Sequence, residues 1–433
     1  MPRCRGNAGH LSKSLLDAAA AADYSGLMRS TSSRILALLA GSGCAALAFA
    51  FPCLARADAR PTPVARAADL VSTVLANYAG DNEMSSARYF RDGRWYATDN
   101  TQQWASTQGG AALAAASLWS SRGRSNRRLL DKAIDTIETA FSTRQAANGS
   151  FTPPSDIGDT QSPPIATEFF GRFMGDTYLL VRSRLSPSQQ RRWQASLSDA
   201  ADFLIDHHEI DWYVNGNVNL GYAEFLYLAW RATGDRRFAQ AYNAEWAFLL
   251  DPGAFRPRFA AYGLRLTRTP KRRDGSDGAG YLVEAGAGGL GFDPEYTMNQ
   301  LGTALDLWID SGDARALRLA NLLFNGLRSR ISASFQLSTE GTRHTERGRT
   351  VPWVSVAIPV LSAHAGRDDL DDLVAGSMTA LRRAYTQSLP WPSNPVYYGV
   401  LGMDVSAILR AGDRRLPTVA APVTPAVFPA SSG

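Results

Sequence analysis

One stretch of the chain combines aromatic rings with side-chain amides at close spacing. Its polar and aromatic members, within residues 212–222, are Trp212, Tyr213, Asn215, Asn217, Asn219 and Tyr222. Asparagine disfavours helices and strands, because its side chain competes for backbone hydrogen bonds. Aromatic rings stack on the apolar face of a sugar, while amides pair with hydroxyls and carboxylates. The stretch therefore predicts a carbohydrate-binding loop, with the asparagines on one side if it is extended. The alternative is that they cap a helix beginning near Leu220.

Residues 274–281 contain three glycines and two aspartates and end at Tyr281. Glycines permit tight turns, and the aspartates could bind a cation, but the spacing does not fit an EF-hand loop. We interpret this segment as a flexible loop that covers a substrate and contacts it through Asp277 and Tyr281. An ordinary surface loop is the alternative.

Asp293, Glu295 and Tyr296 mark the start of a predicted helix over residues 296–311. Pro294 suits a first helical turn, Asp293 suits its N-cap, and Glu295 complements the helix dipole. Tyr296 could act as an acid or a base if nearby cations lower its pKa of about 10. Asp293 and Glu295 could instead supply the two carboxylates of a glycosidase.

A histidine lies among arginines in residues 341–353, another long predicted loop. Arg343, His344 and Arg347 are followed by Trp353. The arginines could hold a carboxylate through paired hydrogen bonds, and His344 could move protons near neutral pH. We predict His344 and Arg347 as catalytic residues, and Arg343 and Trp353 as substrate contacts. A solvated hairpin loop is the alternative.

The first 57 residues have the composition of an export signal. Arg34 precedes an uncharged run over 35–54, and residues 55–57 match the A-x-A form of a cleavage site. Translation from Met28 would give a compact basic start. We predict a signal peptide over 1–57, a catalytic domain over 58–415 and a disordered Pro/Ala-rich tail over 416–433. The predicted location is secreted, periplasmic or cell-envelope, with no stable membrane span after cleavage; an uncleaved anchor is the alternative.

Cysteine and charge usage exclude several classes of function. All three cysteines, at positions 4, 44 and 53, lie in the leader, so the predicted mature chain has no disulfide or thiolate site. The leader also holds six basic and two acidic residues, so 39 basic and 38 acidic residues remain of the 45 and 40 in the chain. This balance gives no argument for a nucleic-acid partner. GxSxG, HExxH and Walker motifs are missing, and we predict no metal and no cofactor.

The remainder of the sequence has the periodicity of helices from residue 68 to residue 412. Apolar residues recur at steps of three and four, and short Gly-Asp or Ser-Pro turns join the helices in pairs. The connections between pairs are long, at about 144–166, 207–220, 251–295 and 332–352, and loops of this length are commonly functional. Only 280–283 and 334–337 favour short strands.

This alternation resembles an (α/α) toroid, in which inner and outer helices form a ring and the long loops gather on one face. We therefore predict an all-α fold, an incomplete or complete toroid of about five to six helical hairpins. A protein-binding α-solenoid is the alternative, although a solenoid would show a tighter sequence repeat.

With the residues above, the architecture resembles the toroid-fold polysaccharide lyases, the alginate and chondroitin lyase-like group. The Asn-Asn-His run of that group is here Asn215-Gly216-Asn217. The resemblance implies that Asn217 and Asn219 neutralise a uronate, that Tyr296 or Tyr222 is the catalytic tyrosine, and that His344 is the base or its helper. The implied partner is a polysaccharide or oligosaccharide substrate. Two alternatives stay open: a six-hairpin glycoside hydrolase using Asp293, Glu295, Asp277 or Glu224, and a non-catalytic glycan-binding protein.

Overall fold

The computed structural model describes residues 104–121, 125–153, 162–207, 214–383 and 406–407, together with the backbone of 90–91 and 94–95. These residues all belong to one compact unit, Arg60–Gly433. The predicted leader and tail, as well as Trp212 and Tyr213, lie outside the described residues.

Helices account for most of the described chain. In order they are α1 (Trp104–Ser121), α2 (Arg127–Thr143), α3 (Pro163–Val181), α4 (Pro187–Asp206), α5 (Gly216–Thr233), α6 (Arg236–Leu250), α7 (Pro252–Phe255), α8 (Pro294–Ser311), α9 (Ala314–Leu327), α10 (Ala357–His364) and α11 (Asp371–Arg383). Apart from the short α7, consecutive helices form five hairpins in this part of the chain. None of the described helices is both long and apolar enough to cross a membrane.

The first helix of each hairpin is buried on nearly all sides, whereas the second buries one face. In α1, sixteen consecutive residues from Trp104 to Trp119 are buried, and α3, α5 and α8 are also largely buried. A helix that is apolar around its whole circumference must be covered on every side. Successive inner helices α1, α3, α5 and α8 pack on one another, and the outer helices cover them. The predicted all-α toroid is confirmed.

The hairpin turns follow from local capping chemistry. Helix α5 ends at Gly234 and α8 at Gly312, both with positive φ, a conformation that glycine adopts without steric cost. Asp235 and Asp313 follow directly and accept a backbone N–H of the next helix as N-caps. The tight predicted turns are therefore present at these positions.

Four short two-stranded antiparallel sheets lie outside the helices. They are formed by β1 (Phe90–Arg91) with β2 (Arg94–Trp95), β3 (Leu264–Arg268) with β4 (Ala279–Leu282), β5 (Glu284–Gly286) with β6 (Gly289–Gly291), and β7 (Gln336–Ser338) with β8 (Thr350–Pro352). The last three pairs lie in the two longest connections, which lead into α8 and α10. The β5–β6 and β7–β8 pairs place side chains at the amino-terminal ends of α5 and α8, whereas the turn between β3 and β4 lies against α9.

One sequence expectation about this end is wrong. Helix α5 begins at Gly216, so Asn217 and Asn219 lie within its first turns rather than in an extended loop. Successive residues of a helix turn by about 100°, which places the two amides on different sides. Asn215 occupies the N-cap position but makes no side-chain cap, because its Oδ1 accepts the backbone N–H of Ala285 at 2.9 Å.

Candidate functional site

A fully buried carboxyl group, Glu284, lies between the amino-terminal ends of α5 and α8. Its Oε1 accepts the backbone N–H of Asn217 at 2.8 Å and the side-chain amide of Gln300 at 2.7 Å. The Arg343 guanidinium approaches Oε2 at 3.5 Å. Burial raises the pKa of Glu284 to about 7, although these three partners oppose the shift. Glu284 can therefore gain and lose a proton near neutral pH.

Asp293 orients the ring of His344. Asp293 Oδ1 caps α8 by accepting the Tyr296 N–H at 3.1 Å, and Oδ2 accepts the backbone N–H groups of Arg343 at 2.7 Å and His344 at 3.1 Å. The His344 Nδ1 then lies 3.3 Å from Asp293 Oδ1. A buried carboxylate that accepts from one imidazole nitrogen leaves the other nitrogen for proton transfer.

Arg343 and His344 both pack on the ring of Tyr296. The guanidinium lies 4.1 Å from the ring centroid, and the imidazole ring stacks at 5.8 Å between centroids. Burial raises the pKa of Tyr296, and the nearby positive charge of Arg343 only partly opposes the shift. The cation that we expected to lower this pKa is thus present, but desolvation outweighs it. Tyr296 stays protonated at neutral pH and is better suited to donate a proton than to accept one.

The outer edge of this group reaches solvent. Glu295 Oε2 accepts a hydrogen bond from Arg349 Nη1 at 2.6 Å and lies 3.5 Å from His344 Nε2. The exposed fractions of the His344, Arg343 and Arg349 side chains are 23, 31 and 34%, so a ligand can reach them. We call the whole group the mouth cluster; it comprises Asn217, Glu284, Asp293, Glu295, Tyr296, Gln300, Arg343, His344 and Arg349.

The structure brings together residues that the sequence separates by more than a hundred positions. Those among the predicted site residues that lie in or against the mouth cluster are Asn215, Asn217, Asp293, Glu295, Tyr296, Arg343 and His344. Arg347 lies on the exposed part of the loop that carries Arg343 and His344. Arg349, two residues later, is the arginine that belongs to the cluster.

Other predicted contacts lie elsewhere. Tyr222 and Trp353 are buried in the hydrophobic core, where large aromatic side chains stabilise packing rather than bind ligand. Asn219 is also buried. Tyr281 packs against Phe292 at 5.2 Å.

Asp277 stabilises a turn. Its carboxylate accepts the backbone N–H groups of Lys271 and Arg272 at 2.9–3.2 Å, chiefly the Arg272 N–H, and these bonds lower its pKa. The segment that we interpreted as a flexible cover is the turn of the β3–β4 hairpin, and side chains of α9 bind its backbone.

The sequence interpretation assigned no site role to Glu284, Gln300 or Arg349. One signal was available for the first: Glu284 is the only charged residue in positions 278–292, among glycines and apolar side chains. A lone acid in such a run is buried with it and must find partners. Gln300 and Arg349 carry no comparable signal, because neither differs in context from a surface residue of a helix or loop.

A second charged group lies among the inner helices, and all of its members are helical residues. We call it the axial cluster; it comprises Glu168, Arg172, Asp176, Glu224 and Asp306, all buried. Arg172 contacts Glu168 at 3.1 Å and Glu224 at 3.1 Å. Gly221 leaves room for this approach, because a β-carbon there would collide with the Glu168 carboxylate. Burial raises the pKa of Glu224 to about 7 despite Arg172.

Three members of the axial cluster have the geometry of cation ligands. Carboxylate oxygens of Asp176, Glu224 and Asp306 lie within 4.8 Å of one another, the one such group among the described residues. Oxygen ligands of this kind suit hard cations. Arg172 already supplies a positive charge at this point through its bond to Glu224.

Comparisons with known proteins give the fold rather than a family. No protein-family model matches the chain, and no curated protein matches its sequence. Among solved structures, a D-mannose isomerase superposes with a TM-score of 0.51 at 10% identity, covering 82% of this chain and 100% of that one. A family 76 glycoside hydrolase from a bovine Bacteroides thetaiotaomicron strain matches with a TM-score of 0.39 at 11% identity, over 81% of this chain and 77% of that one. The first likeness supports the toroid fold deduced above.

Proposed function

We propose that the protein is an exported carbohydrate-active enzyme, a polysaccharide lyase that cleaves a uronate-containing glycan by β-elimination. The observation that carries the proposal is the Asp293–His344 pair beside Tyr296 and Arg343. These four side chains supply an oriented base, a protonated phenol and a cation, and the base and the cation are partly exposed. β-Elimination next to a carboxylate needs these three kinds of group.

Arg343 is the group we assign to the substrate carboxylate. Its guanidinium is partly exposed, and its stacking on Tyr296 holds it in one orientation. Arginine pairs with carboxylates through two parallel hydrogen bonds. Its positive charge would stabilise the negative charge that spreads onto the uronate carboxylate when the C5 proton leaves.

His344 and Tyr296 are the groups we assign to proton transfer. His344 Nε2 accepts the proton from C5, and the electron pair forms the C4–C5 double bond. The bond from C4 to the glycosidic oxygen then breaks, and the Tyr296 hydroxyl donates its proton to that oxygen. Burial keeps Tyr296 protonated, which supports the acid role.

Glycoside hydrolysis is the second candidate, and one observation favours it. Burial raises the pKa of Glu284 to about 7, and Glu295 of the same cluster accepts a hydrogen bond from Arg349. A glycosidase needs a pair of carboxyl groups, one of which donates a proton. Among the acids predicted from sequence for this role, Asp293 is occupied by the loop backbone and Glu224 is buried in the axial cluster.

The test is an activity screen of the purified protein on uronate polysaccharides and on neutral glycans. A lyase produces an unsaturated uronate, which absorbs in the ultraviolet as chains are cut. New reducing ends without that absorbance would replace the lyase with the hydrolase. A ketose formed from a free aldose without chain cleavage would replace both with an isomerase.

Variants then test the assigned roles. We expect His344→Ala and Tyr296→Phe each to lower kcat by about 100-fold or more. Glu346→Ala, an exposed change in the same loop, is the matched control and should leave turnover unchanged. Full activity in both site variants would contradict the roles assigned to His344 and Tyr296. If the wild type has no activity on any glycan, the non-catalytic glycan-binding hypothesis would replace the enzyme.

A further inference from the structure

The positive charge of this protein is concentrated in one stretch. Residues 256–273 contain seven arginines and lysines and no acid, although the predicted mature chain is nearly balanced. The stretch includes β3 and the first half of the turn that joins it to β4. The side chains of Arg268, Lys271, Arg272 and Arg273 are exposed there. With Arg318 of α9, they form what we call the basic turn.

Hydrogen bonds hold the basic turn without cancelling most of its charge. Arg268 Nε donates to the carbonyl oxygen of Asp277 at 2.8 Å, and Arg318 Nη1 donates to that of Arg273 at 2.9 Å. A carbonyl oxygen carries no net charge, so the bond from Arg268 neutralises none of its charge, whereas Asp274 and Asp277 both interact electrostatically with Arg318. Arg272 pairs with Asp274 at 3.6 Å, a long contact. Five cations thus face two carboxylates, those of Asp274 and Asp277.

Helix α9 anchors the same turn through two asparagines. The side-chain amide of Asn321 donates to Asp274 O at 2.9 Å, and that of Asn325 donates to Ser276 O at 2.9 Å. The buried guanidinium of Arg367 donates to the Oδ1 atoms of both asparagines. The backbone of the turn is therefore ordered before a ligand binds.

The basic turn is connected to the mouth cluster by one short strand. Strand β4 runs from Ala279, which pairs with Arg268, to Leu282, and Glu284 follows two residues later. At about 3.4 Å per residue, the basic turn begins roughly 17 Å along the strand from Glu284. The basic turn lies against α9, so a single sugar in the mouth cluster would not span this distance, and only a polymer that follows the β3–β4 hairpin along α9 would contact both.

We propose that the basic turn binds carboxylate groups of an extended acidic polysaccharide at sugars beyond the mouth cluster. The choice of a uronate polymer rests on the proposed function. Arginine matches the planar carboxylate. Residues 264–278 contain no aromatic side chain on which nucleic-acid bases could stack, and the turn has no apolar helical face that would enter a lipid surface.

The experiment is affinity electrophoresis of the full-length protein in gels with and without polygalacturonate. Lys271→Gln/Arg272→Gln/Arg273→Gln removes three charges from the basic turn. Arg128→Gln/Arg191→Gln/Arg236→Gln removes the same charge from exposed positions on the outer helices α2, α4 and α6. We expect the first variant to bind about 10-fold more weakly than the second, which should match the unchanged protein. The wild-type retardation should decrease as NaCl is raised, because salt screens exposed charges.

Equal retardation of the two variants would overturn the proposal. Tighter binding of single-stranded poly(U) or of phosphatidylglycerol vesicles than of polygalacturonate would also overturn it, as would retardation that is insensitive to salt. This last measurement needs only the wild type, so it stands even if a variant fails to fold. Loss of β-elimination with retained binding would contradict only the proposed function, whereas elimination without charge-dependent binding would contradict only this inference.

Discussion

The mouth cluster and the axial cluster contain the same kinds of side chain in opposite surroundings. In the axial cluster, Arg172 is only 4% exposed, and helices α3, α5 and α8 supply all members. In the mouth cluster, loop backbone holds Asp293, and Arg343 is 31% exposed. A ligand from solvent cannot reach Arg172 but can reach Arg343. We therefore associate stability with the axial cluster and chemistry with the mouth cluster.

The comparison also shows what orients a charged group in each case. Glu168, Arg172 and Asp176 are spaced by four residues on α3, so a single helix face aligns them. Asp293 and His344 are 51 residues apart and are aligned by backbone N–H groups of the 340s loop. A site made of loop segments can be altered without removing a helix, which allows substitutions to separate the two roles.

The largest effect that we expect is from Arg172→Met. The substitution leaves Glu168 and Glu224 buried without their cation, and breaking a buried ion pair costs about 3–5 kcal/mol. Urea denaturation at pH 7 measures the loss, with Arg128→Met on the exposed face of α2 as the control. A loss below about 1 kcal/mol would show that the axial cluster does not depend on Arg172.

The next effect is catalytic and belongs to the mouth cluster. Asp293→Asn keeps an N-cap for α8, since asparagine caps as well as aspartate, but removes the negative charge facing His344 Nδ1. We expect kcat to fall by about 100- to 10,000-fold on the glycan found by screening. The melting temperature should fall slightly as well, because the amide nitrogen cannot accept the backbone N–H groups that Oδ2 accepts. Equal loss of stability and activity would mean that Asp293 acts through the fold alone.

A pH effect should separate Glu224 from the reacting groups. Its pKa is raised by burial to about 7 in the folded protein, against about 4.5 when unfolded, so the folded state binds the proton more tightly. The stability that this proton contributes is fully present below pH 4.5 and is lost as pH rises through 7. Glu224→Gln removes this pH-dependent loss of folding stability, which is on the order of 3 kcal/mol.

Stability of both proteins at pH 5 and at pH 8 measures this term. The free energy of unfolding of the variant, compared with that of the wild type, should be higher at pH 8 than at pH 5. Glu284 is present in both proteins, so its contribution cancels in this comparison. Turnover should stay near the wild-type value, because Glu224 lies in the axial cluster. A difference between the two proteins that does not change with pH would contradict the raised pKa.

The smallest effect is expected at the solvent edge of the mouth cluster. Arg349→Gln removes the ion pair between Arg349, whose side chain is 34% exposed, and Glu295, whose side chain is 18% exposed. Exposed pairs contribute about 0.2–1 kcal/mol, and less at high salt. Thermal melts in low and high NaCl measure it. A salt-independent loss would place this pair with the buried charges instead.

The sequence predicted the fold better than the site. The hairpin turns were predicted from Gly234-Asp235 and Gly312-Asp313. A tight turn between helices needs a residue with positive φ followed by an N-cap, and both requirements are local. Asp293 and His344 were visible as unusual polar residues, but their pairing depends on how two connections fold over α8. Tyr222 and Trp353 illustrate the converse, since an aromatic residue near a polar run can belong to the core.

The amino-acid sequence alone predicts the helices, their pairing and the loops that carry unusual residues. It can do so because periodicity and capping act over a few positions. Only the tertiary structure decides which charges reach solvent. Glu284 and Glu224 are both buried and have a similar pKa, yet Glu284 contacts the partly exposed Arg343 and Glu224 contacts the buried Arg172. That difference arises from long-range packing, which determines the dielectric surroundings and the partners of each group.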